Sequence, residues 1–443
     1  MNTKNLIFAA AAAVLATSAA QADTVIHITG STAFRSGTVA AIQTLMGGAG
    51  NFKAAYGSTS GASASASNRS VFRGSIASVP AAGVVTIKCS WSGSTGGIKT
   101  VVQNLDVTTW PSASNLPATN TVLGIADASL NFTLDTATFP GETAKADVTM
   151  EDTTQAATGF TTTTLTETRV GVIPFEWVAG NGTPSAFTNM TPLGAQAAIS
   201  GGAPLSQFTG NPADVSQIVY VVGRNFDSGT RLACLANSGL SPFAGVLHVQ
   251  AVVSGTAGAA GSSIASLKYY QAETVLGQAF SIGNSGYSSG SFIADLLATP
   301  GASTANTTTG IPVAEQLLFG PGHLVGFLGR ADAARARRTS AIATNNARNL
   351  TFNGAAILNG TALNADGTPV GGYNDALIKE GIYTLWEFQN LAYRQSYSGN
   401  GKAVADALAA EITANVPAAS GIKLSEMHVT KSVEGGVVTS TQI

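Results

Sequence analysis

Three short loops rich in Ser, Thr and Gly each follow a β-branched apolar run and precede a stretch with helical spacing. They are Ser31-Thr32 after residues 24–28, Ser92-Gly93-Ser94-Thr95-Gly96-Gly97 after residues 84–90, and Asp227-Ser228-Gly229-Thr230 after residues 218–222. A helix N-terminus presents unpaired N–H groups and a partial positive charge, so small hydroxylated residues at that point can cradle an anion. Each loop alone is equally well read as ordinary capping, because Ser and Thr are common N-caps. Arg224, four residues before Ser228, shifts the reading of the set, since its planar fork suits two-point contact with an oxyanion. The segment 124–130 (Gly-Ile-Ala-Asp-Ala-Ser-Leu) adds a carboxylate, Asp127, at the end of a short apolar strand. An ionised carboxylate can sit beside an anion that retains a proton. Hydrogen phosphate has one to give, whereas sulfate has none and is repelled.

The elements that must hold these loops alternate strand, loop, helix three times, which predicts an α/β fold with parallel strands. After removal of a leader, roughly 420 residues remain, more than one core usually organises, so two or three domains are expected. Between the strand–loop–helix units lie stretches 57–67, 108–121, 136–168 and 251–263, rich in Ser, Thr, Gly and Ala and mostly poor in charge. They read as loops or added β-hairpins, with residues 160–168 as an edge strand on one of them. Helices are expected over 331–338, short and basic, and over 403–412, Ala-rich and amphipathic. No repeat of fixed period is present.

Composition narrows the function classes. Only 10% of residues are charged and the net charge is −2, which leaves neither a nucleic-acid footprint nor an acidic tail, so anion affinity must come from local geometry. The opening Met-Asn-Thr-Lys, the apolar run 6–16 and Ala20-Gln21-Ala22 have the layout of a cleavable secretory signal over residues 1–22. That predicts a periplasmic or secreted product with no membrane span after cleavage. Cys89 and Cys234 are too few for a disulfide scaffold in a chain of this size and are read as two buried thiols. No His/Cys/Asp cluster has metal-ligand spacing, and no cofactor motif is present. Gly286-Tyr287-Ser288-Ser289-Gly290 matches a nucleophile-elbow pattern, with His323 and His428 downstream as bases. The motif requires a strand leading into it, but residues 280–285 turn polar at once, so no enzyme is expected.

Together these segments resemble the phosphate-binding periplasmic components of phosphate ABC transporters, a branch of the type 2 solute-binding fold. The likeness runs in order through Gly30-Ser31-Thr32-Ala33-Phe34, Ser94-Thr95-Gly96-Gly97-Ile98-Lys99, residues 124–130 and Arg224-Asn225-Phe226-Asp227-Ser228-Gly229-Thr230. Segments 204–210 and 321–327 are similar to the family's stretch before the Arg loop and to its returning crossover strand. The resemblance implies two lobes, each a mostly parallel sheet flanked by helices, carrying β-hairpin insertions: 23–168 with 331–443, and 169–330. It further implies a phosphate site in the cleft made of Ser31, Thr32, Ser94, Asp127, Arg224, Ser228, Gly229 and Thr230, with Asp127 as proton acceptor. A monomer that hands its ligand to an ABC permease is the corresponding expectation. The chain departs from the pattern where Phe226 and Asp227 stand immediately before Ser228, which moves a carboxylate by one position, and where an extra residue separates Thr32 from Phe34. The Ser/Thr-rich insertions motivate the alternative of a secreted or surface structural or adhesive protein that keeps a solute-binding frame without a tight ligand.

Overall fold

The runs of apolar and β-branched residues form one mixed sheet in the computed structural model, which describes residues 23–58, 63–127, 139–301, 310–319, 322–417 and 420–441. The expected leader over 1–22 and residues 128–130 of the Asp127 segment fall outside these. Twelve strands take part: β1 (Thr24–Gly30), β2 (Lys53–Ser58), β3 (Arg69–Ser75), β4 (Val84–Ser90), β5 (Val122–Ala126), β6 (Val148–Glu151), β7 (Leu165–Ala179), β8 (Ala203–Pro204), β9 (Ile218–Val222), β10 (Gly322–Gly329), β11 (Arg348–Asn349) and β12 (Trp386–Arg394). Their order is β8-β9-β10-β7-β12-β6-β1-β4-β3-β2-β5, with β11 on β7.

The parallel pairs lie where the loops of interest begin. β1 runs parallel to β4 on one side and β6 on the other, and β9 runs parallel to β10. β9 and β10 are buried along their whole length, as expected of parallel strands covered on both faces. The rest of the sheet is antiparallel except for β2 with β5. β7 is the long connector: residues up to Pro174 pair with β12, and from Phe175 it pairs with β10. Pro174 stands where the strand changes partner, a place where a missing N–H donor is tolerated. The Thr-rich run at 165–168 therefore opens this central strand and is not an edge hairpin.

Helices cover the sheet. α1 (Arg35–Leu45) buries Val39, Ala41 and Ile42, and α2 (Ser94–Gln103) buries Ile98, Val101 and Val102, each at the i, i+3, i+4 spacing of a core-facing stripe or close to it. α3 (Gly229–Asn237) lies along the neighbouring half and touches α2. α4 (Gly290–Ala298) and α5 (Arg330–Arg337) pack on each other and on β10, and α6 (Gly399–Asn415) covers α1 and β7. The basic helix and the Ala-rich helix thus form close to where their patterns place them. Cys89 on β4 and Cys234 on α3 are both buried and unbonded, and burial pushes both thiols well up, that of Cys89 to about 12. No helix among the described residues is long and apolar enough to cross a membrane.

Candidate functional site

Parallel strands bring their C-terminal ends to one edge, and this is where α/β sheets offer ligand crevices. Gly30 of β1 stands level with Met150 of β6, so Ser31-Thr32 and Asp152 leave the sheet side by side. The Ser31 N–H donates to the Met150 carbonyl at 2.7 Å, and the Gly93 N–H, at the exit of β4, donates to the Gly30 carbonyl at 2.9 Å. From the other half, the loop after β9 brings Arg224 to Ser228 against the start of α2: the Gly96 N–H donates to the Asp227 carbonyl at 3.0 Å. Gly93 has φ +139°, and a Cβ there would run into the Asp227 carbonyl oxygen, so only glycine permits this approach.

Asp152 is the hub. It is 1% exposed, and its carboxylate accepts a hydroxyl hydrogen bond from Ser94 on one oxygen and from Thr230, at 3.0 Å, on the other. The Asp152 N–H donates back to Ser94 Oγ at 3.0 Å. One side chain just after β6 thereby ties the first turn of α2 to the first turn of α3. Burial pushes the Asp152 carboxyl up from its ordinary range, while the Ser94 and Thr230 hydroxyls and the charge of Arg224 pull it back. Gly229 packs so closely that an added Cβ would collide with an Asp152 carboxylate oxygen.

Arg224 is 3% exposed and is held by neutral oxygens: Nε donates to the Tyr287 carbonyl at 3.0 Å, Nη2 to the Ser288 carbonyl at 2.8 Å and Nη1 to Thr32 Oγ1 at 3.1 Å. Burial lowers the guanidinium, with Asp227, Asp152 and Asp332 opposing. Asp227 is buried, and burial pushes its carboxyl up to about 7 against the pull of Arg224. Ser228 is the N-cap of α3 and Gly93 that of α2, and neither helix start has a side-chain cap. Two helix N-termini with small residues therefore converge on a buried Arg and a buried carboxylate, an arrangement able to hold an anion that keeps a proton.

Of the residues singled out in the sequence, the structure gathers Ser31, Thr32, Ser94, Arg224, Ser228, Gly229 and Thr230 here, all buried. Asp127 is not among them. It follows β5 at the far edge of the sheet, five strand spacings of about 4.8 Å from β6, and its carboxylate pairs with Arg69 at 2.8 Å. Besides Asp227, which faces Arg224, the carboxylate at the cluster is Asp152, which bonds both helix starts. Its signal in the sequence was a short apolar strand running into Glu-Asp-Thr-Thr, inside the stretch set aside as a Thr-rich insertion. The side chains proposed as hydrolytic partners are dispersed: His323 Nε2 contacts Gln217 at 2.7 Å, and His428 contacts Glu380 at 2.6 Å on the surface. Among the described residues no group of His, Cys, Asp and Glu is placed to hold a metal.

No protein-family model matches the chain, and no curated protein sequence matches it. Solved structures do. A putative phosphate ABC transporter substrate-binding protein with bound phosphate from Clostridium perfringens is 12% identical, with a TM-score of 0.41, over 90% of this chain and all of that one. An ABC-type phosphate transport receptor from Vibrio cholerae is 12% identical, TM-score 0.36, over 88% of this chain and 97% of that one. A human phosphate-binding apolipoprotein is 11% identical, TM-score 0.36, over 90% of this chain and 91% of that one.

Proposed function

We propose that this protein captures hydrogen phosphate without transforming it, at the junction of Ser31, Thr32, Ser94, Asp152, Arg224, Ser228, Gly229 and Thr230. The observation that carries the reading is the convergence of two helix N-termini on Asp152 and Arg224, both almost fully buried. In the complex the Ser94 and Thr230 hydroxyls turn from the carboxylate towards phosphoryl oxygens, the Gly229 and Thr230 N–H groups and Arg224 supply further donors, and Asp152 accepts a hydrogen bond from the ligand's proton. Charge-assisted bonds contribute roughly 1.5 to 3 kcal/mol each, enough in sum to offset the desolvation of a dianion.

The groups that would hold the ligand bond one another directly: Ser94 and Thr230 to the Asp152 carboxylate, and Arg224 to Thr32 Oγ1. In this reading those bonds open when the two halves part, the ligand enters, and closure follows capture. We place one lobe on the β6-β1-β4 side and the other on the β8-β9-β10 side. α5 packs on β10 and β11 pairs with β7, so the second lobe is drawn past residue 331 and the chain returns along β12. Three of the four motif segments that resemble the phosphate-transport family meet at this junction, which supports export and delivery to an ABC permease as the physiological setting.

Isothermal titration of the phosphate-stripped protein with phosphate and sulfate tests the reading. Phosphate heat that sulfate does not reproduce and that Arg224→Ala removes is the expected result. Silence with both anions refutes capture and leaves the frame to a structural or adhesive role.

A further inference from the structure

Residues 57–58 and 63–67, with the segment 251–263, stand apart from the Asp152–Arg224 junction, yet they wall a space. Gly57, Ser63 and Ser67 from the first, and Thr256, Gly258 and Ala259 from the second, line a cavity of about 1030 Å³. That cavity begins at Tyr287 and Ser288, whose carbonyls hold Arg224. A second cavity, of about 350 Å³, opens from Thr32 and Ala33 beside the anion junction. The two share Ala66, Arg335 and Arg338 in their walls and so adjoin. A bare phosphate ion fills only a small part of such a volume, whereas sites for organic ligands span roughly 300 to 1,000 Å³.

The chemistry of the walls selects the ligand class. Arg35, Arg69, Arg335 and Arg338 line the adjoining spaces, and Asp127, Asp295, Asp332 and Asp366 line them too. Arg69 is paired with Asp127 at 2.8 Å, and Arg335 and Arg338 both bond Asp295 at 2.8 Å. The lining thus offers fixed donors and acceptors in balanced number with no net charge, which recognises hydroxyl groups better than a second phosphoryl group. Tyr270 and Tyr287, ring to ring at 5.3 Å, together with Phe292, add flat apolar faces.

We infer that the ligand is a phosphomonoester of a small, neutral, polyhydroxylated molecule, a sugar phosphate, with its phosphoryl group at the Asp152–Arg224 junction and its hydroxylated body in the adjoining cavities. The inference rests on the phosphate-capture reading. A single proton shared between Asp152 and a phosphoryl oxygen serves the ester as it serves hydrogen phosphate, and the ester retains that proton near its second pKa of about 6.

Titration calorimetry at about pH 6 with inorganic phosphate, glycerol 3-phosphate, ribose 5-phosphate and glucose 6-phosphate tests it on the full chain. At least one ester is expected to bind about tenfold or more tighter than phosphate. Ala66→Trp and, separately, Ala259→Trp fill the cavity from wall residues that make none of the proposed anion contacts. Each should return the ester to the affinity of phosphate while phosphate itself is unchanged. Phosphate binding as tightly as every ester, or cavity-filling variants that leave ester affinity intact, overturns the inference while capture stands. Silence with all four ligands overturns capture and the inference with it.

Discussion

Replacing Asp152 by Asn separates the role of this carboxylate from that of Asp127. Asn has the same size, Ser94 Oγ keeps the backbone N–H of residue 152 at 3.0 Å, and the amide oxygen remains an acceptor for the Thr230 hydroxyl, so the ties to α2 and α3 can both be kept. The native state resists ionisation of Asp152 through burial, and the neutral amide removes that cost, so the melting temperature should hold or rise. Binding should move the other way. Loss of a charge-assisted acceptor for the ligand's proton removes roughly 1.5 to 3 kcal/mol, a weakening of about 10- to 150-fold for phosphate. Sulfate, no longer facing a like charge, should gain affinity, so the ratio of the two dissociation constants narrows from both ends. Asp127→Asn is the control. It weakens the buried pair with Arg69, lowering stability by roughly 1 to 3 kcal/mol, and leaves the phosphate constant where it was. Calorimetry with both anions on both variants reads all of this. Phosphate affinity lost in Asp127→Asn and retained in Asp152→Asn refutes the assignment of the hub.

Other perturbations give equally direct readouts. Arg224→Lys cannot serve Thr32 Oγ1 and the carbonyls of Tyr287 and Ser288 together; titration should show phosphate affinity down by about 100-fold, and urea unfolding a loss of roughly 1 to 3 kcal/mol. Gly229→Ala would help an ordinary helix by roughly 0.5 to 1 kcal/mol, but here the methyl group meets the Asp152 carboxylate, so the melting temperature should fall and phosphate binding should be lost. Asp227 is held up to about 7 in the folded chain against an ordinary value of 3.8. The folded state therefore binds more protons between these values: the stability due to Asp227 is full below about pH 4 and is lost as pH rises to about 7, on the order of 4 kcal/mol. Asp227→Asn should flatten urea-derived stability across that window, and an unchanged slope would count against the burial argument.

Local signals carried far in this chain because the strands that matter are short and continuous in character. Residues 24–30, 84–90 and 218–222 are mostly apolar or β-branched and end in or run into Gly or Ser, so both the strand–loop–helix grammar and seven of the residues at the junction could be read directly. β6 could not. Its four residues sit in a stretch whose Thr and Ala content looks like a decorating loop, and a run of four is too short for periodicity to separate a strand from a turn. Asp127 had the clearer local pattern, a Gly-flanked apolar strand ending in Asp. Yet the order of strands across a sheet is a non-local property, and β5 pairs with β2 at the sheet's edge. The Thr-rich start of β7 was hidden for a related reason: its outward neighbours are polar, while its pairing with β12 is decided by residues more than two hundred positions away.

The placement of Asp152 also explains why the junction needs both halves of the molecule. Ser94 starts a helix on the β1 side, Thr230 starts one on the β9 side, and each hydroxyl is committed to a different oxygen of the same carboxylate. A buried carboxylate with donors from only one side would be left under-satisfied, at a cost of about 1 to 3 kcal/mol. Parting the halves strips Asp152 of the Thr230 hydroxyl and Arg224 of Thr32 Oγ1. In the proposed cycle an open form would expose one Asp152 oxygen and Nη1 of Arg224, each released from its present partner. A protonated oxyanion supplies an acceptor for the donor and a donor for the acceptor, so the groups that tie the two helix starts together are the same ones that a phosphoryl ligand would satisfy.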